Sequence, residues 1–407
     1  MPAHDPMTLN YVLFPAAPLA FGAGKPLDFG LGGDSLDFPF PPTLAGALRA
    51  AYETTQGRDA DPFQPRSAAM GPALLARADV GGDRLELLFA RPADAVCFNS
   101  SQRTVHALVT APKAVDVYTD LDDVDDVNRA GAGSLDLLRL QVAPAGDLKP
   151  DESRDWWTAC DMERWLERNP AVPFPAPTGD EGTGADRRTH VVIDGQSKGT
   201  SAGQIFRSTG RDFGARLARM HHADNDRPGA TRHEYAIAVQ FVPPDGDRLD
   251  GVARRVGGEG RFALIRRAAS TTLPRPPASL YAATQTEKPQ RVRFVFVTPA
   301  VFDAGWGPHE AVARQTRGAP HDGWFERHGV ECRIVAAAIP RAQSYSGWRP
   351  GAEGRPPGPG LPTRVLPAGT VYWLEIRSGD PCSLHAQSLC EPHHAHDGWG
   401  FGLVGVA

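Results

Sequence analysis

The sequence predicts an α+β fold, in which helices lie on one face of antiparallel sheets. Its 43 glycines and 38 prolines favour many short strands and turns over long helices. In the second half, segments such as 291–298 alternate basic and apolar residues, as strands with one buried face do. Occasional helical segments separate these strands. A length of 407 residues is enough for two domains, and we place their boundary near residue 230, giving domains 1–230 and 231–407.

Besides the two strands of the hairpin described below, two strands and two helices are predicted before this boundary. They are a strand over 8–14, a helix over 42–56, a strand over 84–91 and a helix over 151–167. Pro42 and Thr43 suit the start of the first helix, because the first helical turn needs no amide from proline. The second helix carries Trp156, Trp157 and Trp165, which we expect to anchor a core rather than to stack on bases.

The second half is predicted to be richer in strands. Strands are expected over 233–242, 261–267, 291–298, 331–339, 371–376 and 401–406, and helices over 309–316 and 382–390. Residues 342–363 form a loop rich in glycine and proline. The sequence shows no internal repeat, although a duplicated fold with diverged sequences would not show one.

The charge of the chain is unevenly distributed. The formal net charge is −5, yet residues 187–267 contain 15 Lys or Arg against 9 Asp or Glu. For binding to a nucleic acid, the position of the positive charge matters more than the total. Residues 116–126 are strongly acidic, as in a solvated loop or a surface facing a basic partner. They do not fit a calcium loop, because Val124 and Val127 fall where oxygen ligands are needed.

Composition also bears on the compartment. The first residues lack the basic region and apolar core of a signal peptide, and no segment approaches the roughly 18 apolar residues that cross a bilayer. We therefore expect a cytoplasmic protein with no membrane partner. The five cysteines are odd in number and scattered, which is typical of reduced, mostly buried thiols.

Residues 187–211 have the pattern of a basic β-hairpin. Strand-like runs over 189–194 and 204–209 flank a glycine-rich tip. Lys and Arg side chains on such a hairpin can neutralise the phosphates of a single strand, while its apolar residues can wedge between bases or simply pack. An ordinary surface hairpin is the alternative. The candidate RNA contacts here are Arg187, Arg188, His190, Lys198, Arg207 and Arg211.

Two further segments combine glycine with basic or aromatic residues. In residues 254–262 the glycines permit either a tight turn or a close approach of backbone amides to a phosphate, with Arg255 and Arg261 as candidate contacts. Near the C terminus, a second glycine-rich loop suits amides that line a ligand path ahead of a final strand. Its residues are Gly398, Trp399, Gly400, Phe401 and Gly402.

With the segment 18–49, these segments resemble the RAMP superfamily, the RNA-binding subunits of CRISPR effector complexes. The third Cmr subunit of type III-B systems is the nearest match, and the equivalent type III-A subunit shares the glycine loop and the first helix. The resemblance covers 18–49, 187–209, 254–262 and 367–406. The family's first turn usually carries an arginine, whereas this sequence keeps only Lys25, which suits a phosphate contact rather than base recognition.

The resemblance implies two ferredoxin-like (RRM-like) domains with packed sheets, a β-hairpin thumb at 187–211 and the glycine-rich loop at 398–402. It implies a non-catalytic subunit in antiviral defence that anchors the 5′ tag of the crRNA across the domain junction, with Lys25 and Arg49 among its contacts. The implied partners are the large cyclase-bearing (palm-domain) subunit and the backbone subunits, in a hetero-oligomer. No catalytic residue, cofactor or metal is expected.

Other features of the sequence are compatible with two enzyme activities and with a metal site. A metal-independent, guide-processing ribonuclease of the same superfamily needs a general base such as His190, or His221 and His222. A serine hydrolase would use Ser197 in the Gly-Gln-Ser-Lys-Gly sequence, but that motif requires a helix after the serine. A zinc site is formally compatible with the spacing of Cys382, His385, Cys390 and His393.

Overall fold

The structure is a computed structural model. The residues that it describes are 7–22, 35–57, 68–79, 85–98, 104–111, 135–141, 149–150, 156–168, 174–175, 177, 182–193, 196–197, 199–214, 233–243, 249–258, 260–283, 290–312, 323–349, 356 and 358–407. The predictions at Lys25, Lys198, His221 and His222, and those for the acidic run 116–126, lie outside the described residues.

The helices and strands are short, as the content of glycine and proline predicts. The strands of the first part of the chain are β1 (Thr8–Pro15), β2 (Ala69–Asp79), β3 (Leu85–Ala90), β4 (Ala95–Cys97), β5 (Thr104–Ala111), β6 (Leu137–Leu140), β7 (Trp156–Thr158), β8 (Phe174–Pro175), β9 (Gly184–Ile193), β10 (Thr200–Asp212), β11 (His233–Val242), β12 (Val252–Arg255) and β13 (Phe262–Thr272). The later strands are β14 (Gln290–Phe296), β15 (Trp324–Arg327), β16 (Val330–Ala338), β17 (Gln343–Tyr345), β18 (Trp348–Arg349), β19 (Gly358–Pro359), β20 (Thr363–Val365), β21 (Val371–Ser378) and β22 (Gly402–Val406). The helices are α1 (Pro41–Thr55), α2 (Ala159–Leu166), α3 (Ala278–Ala283), α4 (His309–Val312) and α5 (Pro392–Ala395), with a 3-10 turn at Pro381–Leu384.

Two antiparallel sheets form the framework. The first has seven strands in the order β12-β13-β1-β11-β2-β3-β7, and the second has five in the order β15-β16-β21-β14-β22. The strands β9 and β10 form a separate two-stranded sheet, which is the hairpin predicted at 187–211. Sheets with a few interspersed helices agree with the predicted α+β class.

The same strand order occurs in both sheets. In the first sheet, four neighbouring strands lie in the order β13-β1-β11-β2. If these four strands are numbered along the chain, that order is fourth, first, third, second. The strands β14, β16, β21 and β22 lie in this order as well. In each case a helix, α1 or α4, lies in the connection between the first strand and the second. The fold therefore contains a repeat that the sequence does not reveal.

The helix α1 covers one face of the first sheet. It begins at Pro41, in the first turn, where the missing amide of proline costs no hydrogen bond. Leu44, Leu48 and Tyr52 follow at helical spacing and are buried in a cluster with Tyr11 and Ile237 of the sheet. The predicted helix 42–56 is confirmed.

The opposite face of the first sheet packs against the second sheet. Leu9 and Leu74 from the first sheet share a buried cluster with Val295 and Trp373 from the second. Side chains of adjacent strand positions point to opposite faces, and the strands β1, β2, β3 and β11 contribute residues to both clusters. The two sheets thus share a core.

The change from the first sheet to the second does not fall at the predicted boundary near residue 230. The strands β11, β12 and β13 all follow that position, yet they belong to the first sheet, and β11 lies between β1 and β2. The chain passes to the second sheet between Thr272 and Gln290. Sequence order does not determine which strands pair, so the return of the chain to the first sheet was not visible in the pattern.

Two predicted helices differ from the structure. In the described part of 151–167, Trp156–Thr158 form β7 and Ala159–Leu166 are helical, because Thr158 caps the helix by accepting the amide of Asp161 at 3.2 Å. The predicted helix 382–390 is wrong. The 3-10 turn ends at Leu384, and Ala386 has a φ of 60° and donates its amide to the Gly402 carbonyl at 2.8 Å. No described helix is long and apolar enough to cross a membrane.

Candidate nucleic-acid interface

Three of the predicted RNA-binding segments meet at residues 18–22, which we call the bridging segment. Leu19 exchanges two backbone hydrogen bonds with Arg211 at the base of the hairpin, at 2.9 and 2.7 Å. The carbonyl of Ala20 accepts the amide of Gly258 at 2.8 Å, from the glycine-rich turn between β12 and β13. Phe21 accepts the amide of Leu36, just ahead of α1, at 3.0 Å. Segments that are distant in sequence thus form one surface.

The close approach of the glycine-rich turn depends on Gly257. This residue has a φ of 72°, a region that favours glycine. A Cβ atom at this position would lie 2.5 Å from the Ala20 carbonyl oxygen. Of the two roles predicted for this segment, the tight turn is present. The turn also holds Arg254 and Arg255 beside α1.

A groove of about 870 Å³ lies between α1 and this turn. On the helix side its wall consists of small or short residues, namely Pro42, Thr43, Gly46, Ala47 and Ala50. The opposite wall is formed by residues of β12, the turn and the start of β13, namely Ala253, Arg254, Arg255, Gly257, Gly258 and Phe262. Phe40, Tyr345 and Gly347 also line it. The small or short residues on this face of α1 are what leave the groove open.

The groove combines positive charge with aromatic surface. Arg255 is exposed, and its guanidinium carbon lies 5.6 Å from the centre of the Phe262 ring, which is itself 45% exposed. Arg254 is half-buried and donates to the Thr54 hydroxyl of α1 at 3.2 Å. Cations for phosphates beside ring faces for bases are the features that single-stranded nucleic acid requires.

One face of the hairpin is basic. Arg187 and Arg207 are exposed, and the register pairs Thr209 with Arg187 and Arg207 with Thr189. Because directly opposed residues share a face, the two arginines lie on the same side of the hairpin. Val191 continues this face and is 47% exposed. This arrangement agrees with the predicted basic hairpin.

The other hairpin positions have internal partners. Arg188 lies on the opposite face, where its Nε is 2.5 Å from a carboxylate oxygen of Asp186. His190 lies on that face too, and its Nε2 is 2.7 Å from the hydroxyl of Ser208. Arg211 forms an ion pair with Asp37. The predicted contacts of the hairpin are therefore divided between its two faces.

The structure corrects the role predicted for Arg49. Its side chain is only 13% exposed and forms an ion pair of 2.7 Å with Asp397. It also donates to the carbonyls of Ala68, at 2.8 Å, and His396, at 3.1 Å. These bonds tie α1 to the C-terminal segment, so Arg49 serves the fold rather than a phosphate.

The C-terminal glycine-rich loop also departs from the prediction. Gly398, Trp399, Gly400, Phe401 and Gly402 are all buried. Their amides donate to oxygens within the protein, namely those of Ala395, His394, Pro299, the Thr298 hydroxyl and Gln387. No amide of this loop is left for a phosphate. The glycines instead permit dense packing, since a Cβ atom on Gly400 would lie 2.2 Å from the Cys390 sulfur.

The loop nevertheless supports the groove from behind. The ring of Trp399 lies 5.6 Å from that of Phe40 and 5.4 Å from that of Tyr345, and these last two rings line the groove. Arg254, Phe40, Tyr345 and Phe262 were not predicted as site residues. The basic, glycine-rich run around Arg254 was a usable signal, whereas nothing in the sequence relates Tyr345 to α1.

The geometry excludes a nucleophile elbow at Ser197. The strand β10 begins at Thr200, directly after the turn, where that motif requires a helix. The Ser197 hydroxyl accepts the Gly199 amide at 3.3 Å, which is a local turn bond. The motif on which the serine hydrolase hypothesis depends is therefore not formed at Ser197.

The four candidate zinc ligands are not assembled either. The ring nitrogens of His385 are engaged by the Pro274 carbonyl, at 2.7 Å, and the Val404 amide, at 3.1 Å. Burial raises the pKa of the Cys390 thiol to about 12, which opposes the thiolate form that binds zinc. Within the described residues, these four side chains do not form a common ligand group.

Two solved structures and one family profile are similar to this chain. One of them is a chain of the cryo-EM structure of the Type III-B Cmr-beta bound to cognate target RNA. Its sequence is 13% identical, the match covers 89% of this chain and 86% of that chain, and the TM-score is 0.43. The corresponding structure with AMPPnP, state 1, gives 12% identity, the same coverage and a TM-score of 0.42. No curated protein sequence matches. The profile of the family described as CRISPR-associated protein (Cas_Cmr3) matches residues 11–406. This match confirms the resemblance to the third Cmr subunit of type III-B systems, and the chain belongs to the Cas_Cmr3 family.

Proposed function

We propose that this Cmr complex subunit binds the guide RNA without cutting it and anchors the 5′ tag of the crRNA in the groove beside α1. The observation that carries the proposal is the convergence of the hairpin, the glycine-rich turn and α1 on the bridging segment. This convergence gives a chain of net charge −5 a local surface of exposed arginines and aromatic rings.

The groove has the chemistry for a short single strand. Arg255 would neutralise a phosphate, and Phe262 and Tyr345 would offer ring faces to bases. The exposed arginines of the hairpin, Arg187 and Arg207, would hold the backbone farther along. A short single-stranded 5′ tag suits such a site, because phosphate contacts and stacking hold unpaired nucleotides.

The fold supports a site at the junction of two ferredoxin-like domains, one around each large sheet. In both sheets four strands lie in the order fourth, first, third, second, which is the order of a ferredoxin-like unit. The hairpin would be the thumb of the first unit. The groove takes walls from both units, with α1 from the first and Tyr345 from the second core. The large cyclase-bearing subunit and the backbone subunits are the proposed protein partners, in the cytoplasm.

Substitution of the groove arginines tests the proposal. Fluorescence anisotropy would measure the Kd for tagged crRNA over a range of salt concentrations, with the subunit assembled in its complex. We expect the double variant Arg254→Ala/Arg255→Ala to weaken binding at least tenfold, since each hydrogen bond to a charged group contributes roughly 1.5–3 kcal/mol and a tenfold change in Kd corresponds to about 1.4 kcal/mol. The negative slope of log K against log salt should become shallower by about 0.7 for each lost phosphate contact.

Arg377→Ala is the matched control. Arg377 lies in the second sheet, outside the groove lining, and forms an ion pair of 2.9 Å with Glu331. The Arg377→Ala substitution removes one positive charge, but it should leave the Kd and the slope of log K against log salt unchanged. Equal affinities for the double variant and this control would refute the groove as the RNA site.

The guide-processing ribonuclease is the second candidate. His190 lies within 2.7 Å of a hydroxyl, which is one of the contacts that a general base needs. Incubation of repeat RNA with the protein in EDTA distinguishes the two functions. Cleavage that disappears in His190→Ala would establish the ribonuclease, whereas binding without cleavage supports the anchor.

A further inference from the structure

Three side chains outside the groove share the geometry of metal ligands. The Nε2 of His394 lies 3.1 Å from Oδ1 of Asp303, and the Nε2 of His393 lies 3.5 Å from the same oxygen. The two imidazole rings are side by side, with centroids 4.0 Å apart. The ligand atoms of all three residues lie within 4.8 Å of one another.

Two turns bring these residues together. The histidines occupy consecutive positions in α5, which begins at Pro392. Asp303 lies in a tight turn closed by the bridge between Phe302 and Gly305. The hydrogen bond from the Gly400 amide to the Pro299 carbonyl, at 2.8 Å, holds the two parts of the chain in register. The cluster therefore depends on tertiary structure and has no sequence motif.

The distances suit a common metal ion. Metal bonds to histidine nitrogen and carboxylate oxygen are about 2.0–2.2 Å long, so two ligands of a tetrahedral site lie about 3.3–3.5 Å apart. The observed separations of 3.1 and 3.5 Å lie close to this value. Imidazole and carboxylate together suit borderline ions such as Zn²⁺, Ni²⁺ and Co²⁺.

Exposure of the cluster gives an ion access from solvent. The side chains of His393 and Asp303 are 61% and 57% exposed, whereas that of His394 is 22% exposed. Three protein ligands leave a fourth position that water can occupy. Neither histidine nor Asp303 lines the groove, so this cluster is distinct from the proposed RNA site.

We propose that Asp303, His393 and His394 form a binding site for one divalent transition-metal ion. The ion would join α5 to the turn at Asp303. The chain continues from α5 directly into Asp397, which holds Arg49, and Trp399, which supports the groove. A bound ion therefore braces the segment behind the groove wall.

Metal titration of the protein without a purification tag tests the site. After removal of metal with a chelator, the protein would be titrated with Zn²⁺ by isothermal titration calorimetry and with Co²⁺ by visible absorption. We expect one site in the native chain, with intense Co²⁺ bands that indicate tetrahedral coordination. His393→Ala, His394→Ala and Asp303→Ala should each weaken its affinity at least tenfold, because each removes one of three ligands.

His309→Ala is the matched control, since His309 is exposed at the start of α4 and outside the cluster. It should bind metal as the unchanged chain does. Circular dichroism would confirm that each variant is folded, and Asp303→Asn offers a version that keeps the shape of the side chain. The proposal is overturned if the native chain takes up no stoichiometric metal, or if the cluster variants bind it as tightly as the control.

Discussion

At the scale of single residues, Asp94 connects distant parts of the chain. It is completely buried, and its carboxylate accepts from Arg293 at 2.5 Å, Arg168 at 2.8 Å and the indole of Trp165 at 2.9 Å. Arg293 also donates to the Val406 carbonyl at 2.5 Å. The network joins α2 to two strands of the second sheet. Two buried guanidinium groups therefore depend on one carboxylate.

We predict that Asp94→Asn lowers the free energy of unfolding by about 3–5 kcal/mol, because it leaves buried arginines without a counter-charge. Urea denaturation would measure the change. Glu86→Gln is the control, since its ion pair with Arg77 lies at the surface, where such pairs contribute up to about 1 kcal/mol. Similar losses for the two variants would contradict the assigned role of Asp94.

The same carboxylate predicts a dependence of stability on pH. Burial opposes its ionisation, but the attraction of Arg293 and Arg168 outweighs burial and lowers the pKa of Asp94 below its usual value. The stabilisation is therefore present above about pH 4, the unfolded value, and is lost as pH falls through the folded pKa. Urea denaturation at pH 5 and pH 3 should show the difference between the unchanged chain and Asp94→Asn shrinking. A constant difference would contradict this sign.

At the scale of elements, the hairpin offers a comparison within one motif. Arg207 is exposed on the basic face, whereas Arg188 is engaged with Asp186 on the other. The sequence pattern predicted the hairpin and its charge, but it could not assign these arginines to faces. The face follows from the register between β9 and β10, which depends on where the turn closes.

We predict that Arg207→Ala weakens binding of crRNA several-fold and reduces the salt slope by about 0.7, as expected for one lost phosphate contact. Arg188→Ala should change both quantities much less, because Asp186 already neutralises that side chain. Anisotropy titrations of the two variants would check the difference. A larger effect at Arg188 would place the RNA on the opposite face.

The C-terminal loop provides an element-level test of packing. Gly400 has a φ of 76°, and a Cβ atom there would lie 2.2 Å from the Cys390 sulfur. Gly251 has a similar φ of 78° but nothing within 4 Å of its Cβ position. We predict that Gly400→Ala destabilises the fold by about 2–4 kcal/mol, from strain and overpacking together, and Gly251→Ala by about 1 kcal/mol from strain alone. Thermal unfolding of the two variants would measure both, and equal losses would show that the loop can relax.

At the scale of the whole molecule, an acidic chain carries a basic groove. The formal net charge of −5 repels RNA at long range, while Arg254 and Arg255 attract it locally. The shared core of Leu9, Leu74, Val295 and Trp373 fixes the two sheets relative to each other. The groove, which takes walls from both halves, is therefore preformed.

We predict that the isolated chain binds tagged crRNA weakly and that the assembled complex binds it at least tenfold more tightly, because the isolated chain has a net charge of −5. Anisotropy at a fixed salt concentration of about 150 mM would compare the two, and untagged RNA serves as the control. The prediction fails if the isolated chain matches the complex, or if removal of the tag changes neither affinity.

The sequence by itself determined the α+β class, the helix α1, ten of the 22 described strands (the two of the basic hairpin among them) and the family. These properties follow from local patterns, such as the spacing of Leu44 and Leu48 in α1. Only the tertiary structure decided that β11 enters the first sheet, that Arg49 pairs with Asp397, and that the glycines near the C terminus are buried. Such outcomes depend on contacts between residues hundreds of positions apart, and local periodicity carries no information about them.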